Sequence, residues 1–210
     1  MKILIVAATK AEVGGLISSF QLPEGDFITT PGFDLLMTGV GMTATAFALG
    51  QHLSATYSLV VNLGIAGCYD RQVALGTVVN VVADQFAELG AENKDEFLTI
   101  DELGFGKSVY HNLYTQSDNA IANLPPVHGI TVNKVHGNTD SIAAVTARLN
   151  PVTESMEGAA VFYSCSQLNI PCLQIRSISN YVEQRNRGNW EIGLAVKKLN
   201  DWAIEFLTNR

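Results

Sequence analysis

The chain has 210 residues, 47% hydrophobic and 16% charged, with a formal net charge of −7. That length and composition predict an ordered globular protein with one core, a single domain over residues 1–210, and exclude a disordered chain. The acidic balance excludes the clustered Lys and Arg that a nucleic acid or an anionic membrane surface demands of its partner, and no stretch approaches the ~20 apolar residues that span a bilayer.

Taken in order, Lys2–Ala8 is a continuous apolar run, the mark of a strand buried on both faces, and MKILIVAATK reads as that strand rather than as a signal peptide. Thr9-Lys-Ala-Glu12 opens a helix expected to reach about Phe20. Asp26–Thr30 and Asp34–Met37 predict a hairpin turning near Pro31-Gly32. Thr38-Gly-Val-Gly41 leads into a small-residue helix over Met42–Leu53, and Leu59–Leu63 is a further apolar strand ending in a Gly64-Ile-Ala-Gly67 turn. Thr77–Phe86 is rich in β-branched residues, and Glu88–Asp118 is polar, an excursion at the sheet edge. A strand over Gly129–Val135, a helix over Thr139–Leu149 and a helix over Ser155–Leu168 precede the strand Cys172–Ile175. That strand turns polar at Arg176, passing Ser177, Ser179 and Asn180 into a loop with Glu183, Arg185 and Arg187. An amphipathic helix over Gly188–Thr208 closes the chain. The alternation predicts an α/β fold, three-layer α/β/α around a mixed, mainly parallel central sheet.

The chemistry gathers at strand ends, where ligands bind in open α/β sheets. Thr9-x-x-Glu12 has two readings: a capping box, with Glu12 reaching back to the Thr9 amide, or a general base at the ligand-binding edge. Gly39-x-Gly41-x-x-Ala44 matches the dinucleotide fingerprint, but Asn62 stands where an acidic residue is required, which argues against a nicotinamide cofactor. Glu157 either sits in a helix first turn, favoured by the dipole, or grips vicinal hydroxyls, with Met156 beside it against a sugar face. Arg176 and Asn180 follow a buried run so closely that a held polar ligand is the better reading. None of His52, His111, His128 and His136 has metal-ligand spacing, so neither a metal nor a cofactor is expected. Cys68, Cys165 and Cys172 cannot all pair within the chain and suit a reducing cytoplasm.

Four stretches, MKILIVAATKAEV, LVVNLGIAG, SMEGAA and RSISN, in this order, resemble the nucleoside phosphorylase/nucleosidase superfamily, in its methylthioadenosine/S-adenosylhomocysteine nucleosidase-like branch. The resemblance implies Glu12 as the base for water, Met156 and Glu157 on the ribose, and Arg176, Ser179 and Asn180 at the purine. It also implies a substrate-binding turn at Gly64 and Ile65, a purine nucleoside as substrate and a homodimer or larger assembly. Asn180 stands where the adenine-specific branch has aspartate, and Ile65-Ala-Gly-Cys68 replaces a Ser-Ala-Gly-Gly turn. SNYVEQRNRGNW is similar to the futalosine hydrolase branch, which removes hypoxanthine on the way to menaquinone. An amide that donates to O6 and accepts from a protonated N7 fits a 6-oxopurine, in keeping with that branch. The alternatives are an adenine-specific nucleosidase, a phosphorylase, and a nucleoside-binding sensor on the same fold. Phosphorolysis needs cations near the first strand end, where the N-terminal half offers only Lys10 and Arg71.

Overall fold

Alternate residues of the first strand bury on opposite faces of a sheet, and this arrangement sets the whole architecture. In the computed structural model, which describes residues 2–116 and 118–210, β1 (Lys2–Ala7) sends Ile5 and Ala7 to one layer and Leu4 and Val6 to the other. Met1 of the opening motif and Ser117 of the 88–118 stretch lie outside the described residues. The elements that follow are α1 (Gly14–Ser19), β2 (Phe27–Thr29), β3 (Phe33–Met37), α2 (Met42–His52), β4 (Tyr57–Cys68) and β5 (Val78–Phe86). The edge excursion forms a hairpin of β6 (Gly90–Asn93) and β7 (Glu96–Thr99), then β8 (Val109–His111). After it come α3 (Asn119–Ala122), β9 (Pro126–Thr131), α4 (Thr139–Leu149), β10 (Thr153–Ser155), α5 (Gly158–Gln167), β11 (Cys172–Tyr181) and α6 (Ile192–Thr208).

Nine strands share one sheet, ordered β10-β9-β5-β11-β4-β1-β3-β2, with β8 on β5. β1 is parallel to both β3 and β4, and β4 is parallel to β11, whereas β11 runs antiparallel to β5. The sheet is mixed, as expected, with α1 and α6 packed on one face and α2 and α5 on the other. It also curls: β10 is parallel to β9 yet pairs antiparallel with the end of β4, Glu154 opposite Gly67, so β4, β11, β5, β9 and β10 close into a ring.

Several expected boundaries shift. The turn at Gly64–Gly67 is strand, because β4 runs straight through it to Cys68. Gly64 is there for close approach, since a side chain on it would run into the Arg176 guanidinium. β11 likewise continues past Arg176 to Tyr181, the polar residues being paired strand rather than loop. Ser155 ends β10 instead of opening a helix, and α5 starts at Gly158. The strand expected over Gly129–Val135 ends at Thr131, and the first helix covers only Gly14–Ser19, preceded by the Thr9–Glu12 turn. The last helix starts at Ile192, after a short 3₁₀ turn at Arg187–Asn189.

Candidate active site

The ends of β1, β4, β10 and β11 meet at a cavity of about 300 Å³. Of the residues singled out in the sequence, Glu12, Ile65, Met156, Glu157, Ser179 and Asn180 line it. Arg176 and Gly64 are not on its wall; they lie packed against each other beneath it. His136, Glu154 and Trp190 are lining residues that the sequence reading did not assign to the site, and Arg185, one of three arginines (with Arg187 and Arg71) that the sequence offers for a carboxylate-bearing substrate tail, lines it too.

At one end stands Glu12. The Thr9 amide and hydroxyl donate to Glu12 Oε2, each at 3.0 Å, so the capping box forms. The other oxygen, Oε1, accepts from the Ile65 amide at 3.2 Å, which turns the carboxylate toward the cavity. Its readings as cap and as base are therefore geometrically compatible. Burial pushes the Glu12 pKa up; Arg176 and the Ile65 amide pull it back, and the charge of Glu157 adds to the rise. The backbone of this turn is clamped from α6: Asn200 Nδ2 donates to the Glu12 carbonyl at 2.8 Å, and Asn200 Oδ1 accepts from the Leu16 amide at 2.7 Å.

Glu157 is 7% exposed and accepts from the Gly41 amide at 2.9 Å. Gly41 adopts φ +94°, a left-handed value that suits glycine, and so the glycine loop of the dinucleotide-like pattern spends an N–H on a carboxylate of its own chain. Beneath both glutamates lies Arg176, 1% exposed, donating from Nη2 to Asn62 Oδ1 at 2.6 Å and to Gln174 Oε1 at 3.0 Å. Gln174 in turn donates to Asp84 Oδ2 at 2.8 Å, and Thr131 donates to Asp84 Oδ1 at 2.9 Å. Burial pushes Asp84 up to about 7; the Thr131 hydrogen bond and Arg176 oppose that, and Glu157 reinforces it. One guanidinium thus acts on two acidic groups, Glu12 and Asp84, and Nε of Arg176 is left buried without a hydrogen-bond partner. The residue found at the missing acidic position, Asn62, is the one that holds this arginine.

Asn180 donates from Nδ2 to the Tyr181 carbonyl at 3.0 Å, and the Ser179 hydroxyl donates to Asn180 Oδ1 at 2.8 Å. In register, Asn180 lies opposite Gly67 on one side and Glu154 lies opposite Gly67 on the other, forming a single rung across β11, β4 and β10. The Glu154 carboxylate accepts from the His136 amide at 2.9 Å, the Tyr69 hydroxyl at 2.7 Å and the His136 ring at Nδ1. Over the cavity, Arg185 stacks on Trp190 with 5.0 Å from guanidinium carbon to ring centroid. Of the other arginines in question, Arg187 also stacks on Trp190 but does not line the cavity, and Arg71 is paired with Glu183. Among the described residues, no cluster of three or more His, Cys, Asp or Glu could hold a metal ion, and no helix is long and apolar enough to cross a membrane.

Comparison with known proteins agrees with this geometry. The family model described as the phosphorylase superfamily matches residues 2–208. The futalosine hydrolase of Streptomyces coelicolor is 32% identical, over 96% of this chain and 93% of that protein. The futalosine hydrolase of Acidothermus cellulolyticus is 33% identical, over 95% of this chain and 87% of that protein. In fold, the 5′-methylthioadenosine/S-adenosylhomocysteine nucleosidase of Colwellia psychrerythraea, solved with adenine, superposes with a TM-score of 0.78 at 20% identity, covering 99% of this chain and 95% of that one. The chain belongs to the phosphorylase superfamily and, within it, to the futalosine hydrolase family.

Proposed function

We propose that this protein hydrolyses the N-glycosidic bond of futalosine, releasing hypoxanthine and dehypoxanthine futalosine, as a step of menaquinone biosynthesis in the cytoplasm. The observation that carries the reading is a single cavity with a desolvated carboxylate, Glu12, at one end and a neutral amide, Asn180, at the other. Glu12 takes a proton from water as that water attacks the anomeric carbon, on the face opposite the base. The C1′–N9 electrons leave with the purine through an oxocarbenium-like ribosyl cation, as in glycoside cleavage. Glu157 accepts from the 2′- and 3′-hydroxyls, and Met156 lies along the sugar. Asn180, held by Ser179, donates to O6 and accepts from N7–H of the departing hypoxanthine. Arg185 is the cation on the cavity wall available to a carboxylate-bearing tail.

Arg176, with Gly64 making room for it, acts from below by favouring the charged form of Glu12. Its commitment to Asn62 and Gln174 also disfavours phosphorolysis, since the cation nearest Glu12 is already bonded within the protein. Lys10 is likewise spent on Glu24 at 2.5 Å. Three buried unpaired cysteines support a reducing compartment. A homodimer or larger homo-oligomer is supported by Phe47 and Phe105, 69% and 81% exposed on a folded surface. Incubation with futalosine, inosine and methylthioadenosine, each with and without phosphate, tests the reading. Hypoxanthine release from futalosine at one rate in both buffers is expected. A strict phosphate requirement with a sugar phosphate product would overturn it, and preferential cleavage of methylthioadenosine would replace it with the adenine-specific alternative.

A further inference from the structure

His136 shares the cavity with Asn180, and its ring is fixed from behind. The Glu154 carboxylate is buried, 4% exposed, and takes the His136 ring at Nδ1 together with the Tyr69 hydroxyl and the His136 amide. With its donors arranged around one buried charge, the ring keeps its proton on Nδ1, since moving that proton to Nε2 would set two acceptors face to face. In the neutral ring, Nε2 is then an acceptor. It bonds to no protein group, and Arg176 Nε is the buried side-chain atom without a partner among the described residues, so Nε2 retains contact with the cavity.

The register brings the residue that holds this ring, Glu154, to the same strand position as Asn180. Glu154, Gly67 and Asn180 form one rung over three strands, and Gly67 contributes no side chain between the other two. The space above Gly67 is taken up by Val182 and by the Asn180 amide, so Asn180 leans over Gly67 toward the β10 side, and His136, Glu154 and Asn180 all line the one cavity. A 6-oxopurine presents O6 and N7 on one edge and, next to O6, a donor at N1–H. Adenine presents an acceptor at N1.

We propose that His136 is a second base-reading residue, whose Nε2 accepts N1–H of a 6-oxopurine while Asn180 takes the O6/N7 edge, with Glu154 and Tyr69 as positioning residues that fix the ring. This rests on the 6-oxopurine reading above and extends it: selectivity against adenine comes from both walls of the base pocket rather than from Asn180 alone. An acceptor facing the N1 acceptor of adenine leaves both unpaired, and sites built this way reject the mismatched analogue strongly.

The test measures binding of free hypoxanthine and free adenine by calorimetry, which requires no turnover. The wild type should prefer hypoxanthine. His136→Phe keeps the ring shape and removes both nitrogens, and should lower the hypoxanthine-over-adenine affinity ratio about tenfold. His136→Gln can set an amide oxygen near the place of Nε2 and should recover part of that ratio. If His136→Phe weakens both bases equally, or leaves the ratio unchanged, the ring only supports the loop and the proposal fails. A wild type that prefers adenine also overturns it. Should His136→Phe not fold, imidazole ¹⁵N spectra of the wild type decide: hypoxanthine should move the His136 Nε2 resonance toward a hydrogen-bonded acceptor with Nδ1 still protonated, and an unmoved Nε2 refutes the contact. Futalosine hydrolysis, assayed separately, judges the underlying reading, whereas the base ratio judges His136 whichever way that assay falls.

Discussion

The two ends of the cavity solve opposite problems. Around Glu12, acidic groups and one arginine are gathered under the strands, and the charges of Arg176 and Glu157 bear in opposite directions on the ionisation of both Glu12 and Asp84. Around Asn180, the neutral groups on the cavity are an amide, a hydroxyl and an imidazole, and the two carboxylates that also line it, Glu154 and Glu183, are already bonded, the first to Tyr69 and His136 and the second to Arg71 and Asn189. The first arrangement suits a step common to every nucleoside, water attack on a sugar carbon. The second suits discrimination, because neutral donors and acceptors cannot adapt to a base of the wrong pattern without leaving a group unpaired. Catalysis is thus expected to be sensitive to charge at one end, and specificity to hydrogen-bond direction at the other.

The largest effect should come from Glu12→Gln. It retains one side-chain acceptor and the size of the residue but removes the base, so turnover should fall about 10²–10⁴-fold with little change in melting temperature. Near-normal turnover would reduce Glu12 to its hydrogen bonds with Thr9. Arg176→Met tests the gathered charges themselves. Removing one partner of buried charges typically costs about 3–5 kcal/mol, and denaturant unfolding should register a loss of that order. A loss under 1 kcal/mol would mean that the carboxylates are not relying on the guanidinium.

Asp84 gives the same region a pH signature. Its carboxyl is raised by burial from the usual 3.8 to about 7, so the folded protein holds a proton that the unfolded chain releases. Its contribution is complete below the unfolded value and is lost as pH rises toward 7, a fall on the order of a few kcal/mol. Asp84→Asn should flatten that part of the stability curve relative to the wild type; parallel curves would place the proton elsewhere. The smallest effect belongs to the base end. Asn180→Asp should shift the ratio of kcat/KM for futalosine over its 6-amino counterpart, aminodeoxyfutalosine, about tenfold toward the amino substrate. Equal losses on both would show that Asn180 shapes the strand end and does not read the base.

Which parts of this were legible in the sequence follows from how local each signal is. Period and composition marked β1, β4, α4 and α6, because burial on both sheet faces or on one helix face repeats within a short window. Glu12, Met156, Glu157, Ser179 and Asn180 stood out beside buried runs, and all five reach one cavity. Gly64 misled, since glycine reads as a turn, and only its partner across β11, Arg176, shows that space was the requirement. Arg176 misled in a second way: the polar letters after Ile175 read as a strand end, yet each is paired or covered. His136 and Glu154 gave no local sign at all. They are 18 positions apart and meet because β10 pairs in register beside β9, and Asn200 reaches Glu12 from 188 positions away.

The closure of the ring by β10 ties together properties that could otherwise vary separately. Three residues past Glu154, which holds the His136 ring, comes Glu157, the carboxylate proposed for the sugar hydroxyls. A single insertion or a one-residue slip in that four-residue stretch would displace both at once, and in a strand a slip also exchanges inward for outward side chains. Base preference is therefore expected to respond to point substitutions at Asn180 and His136, whereas a change in the length of the 154–157 segment should disturb both ends of the cavity together.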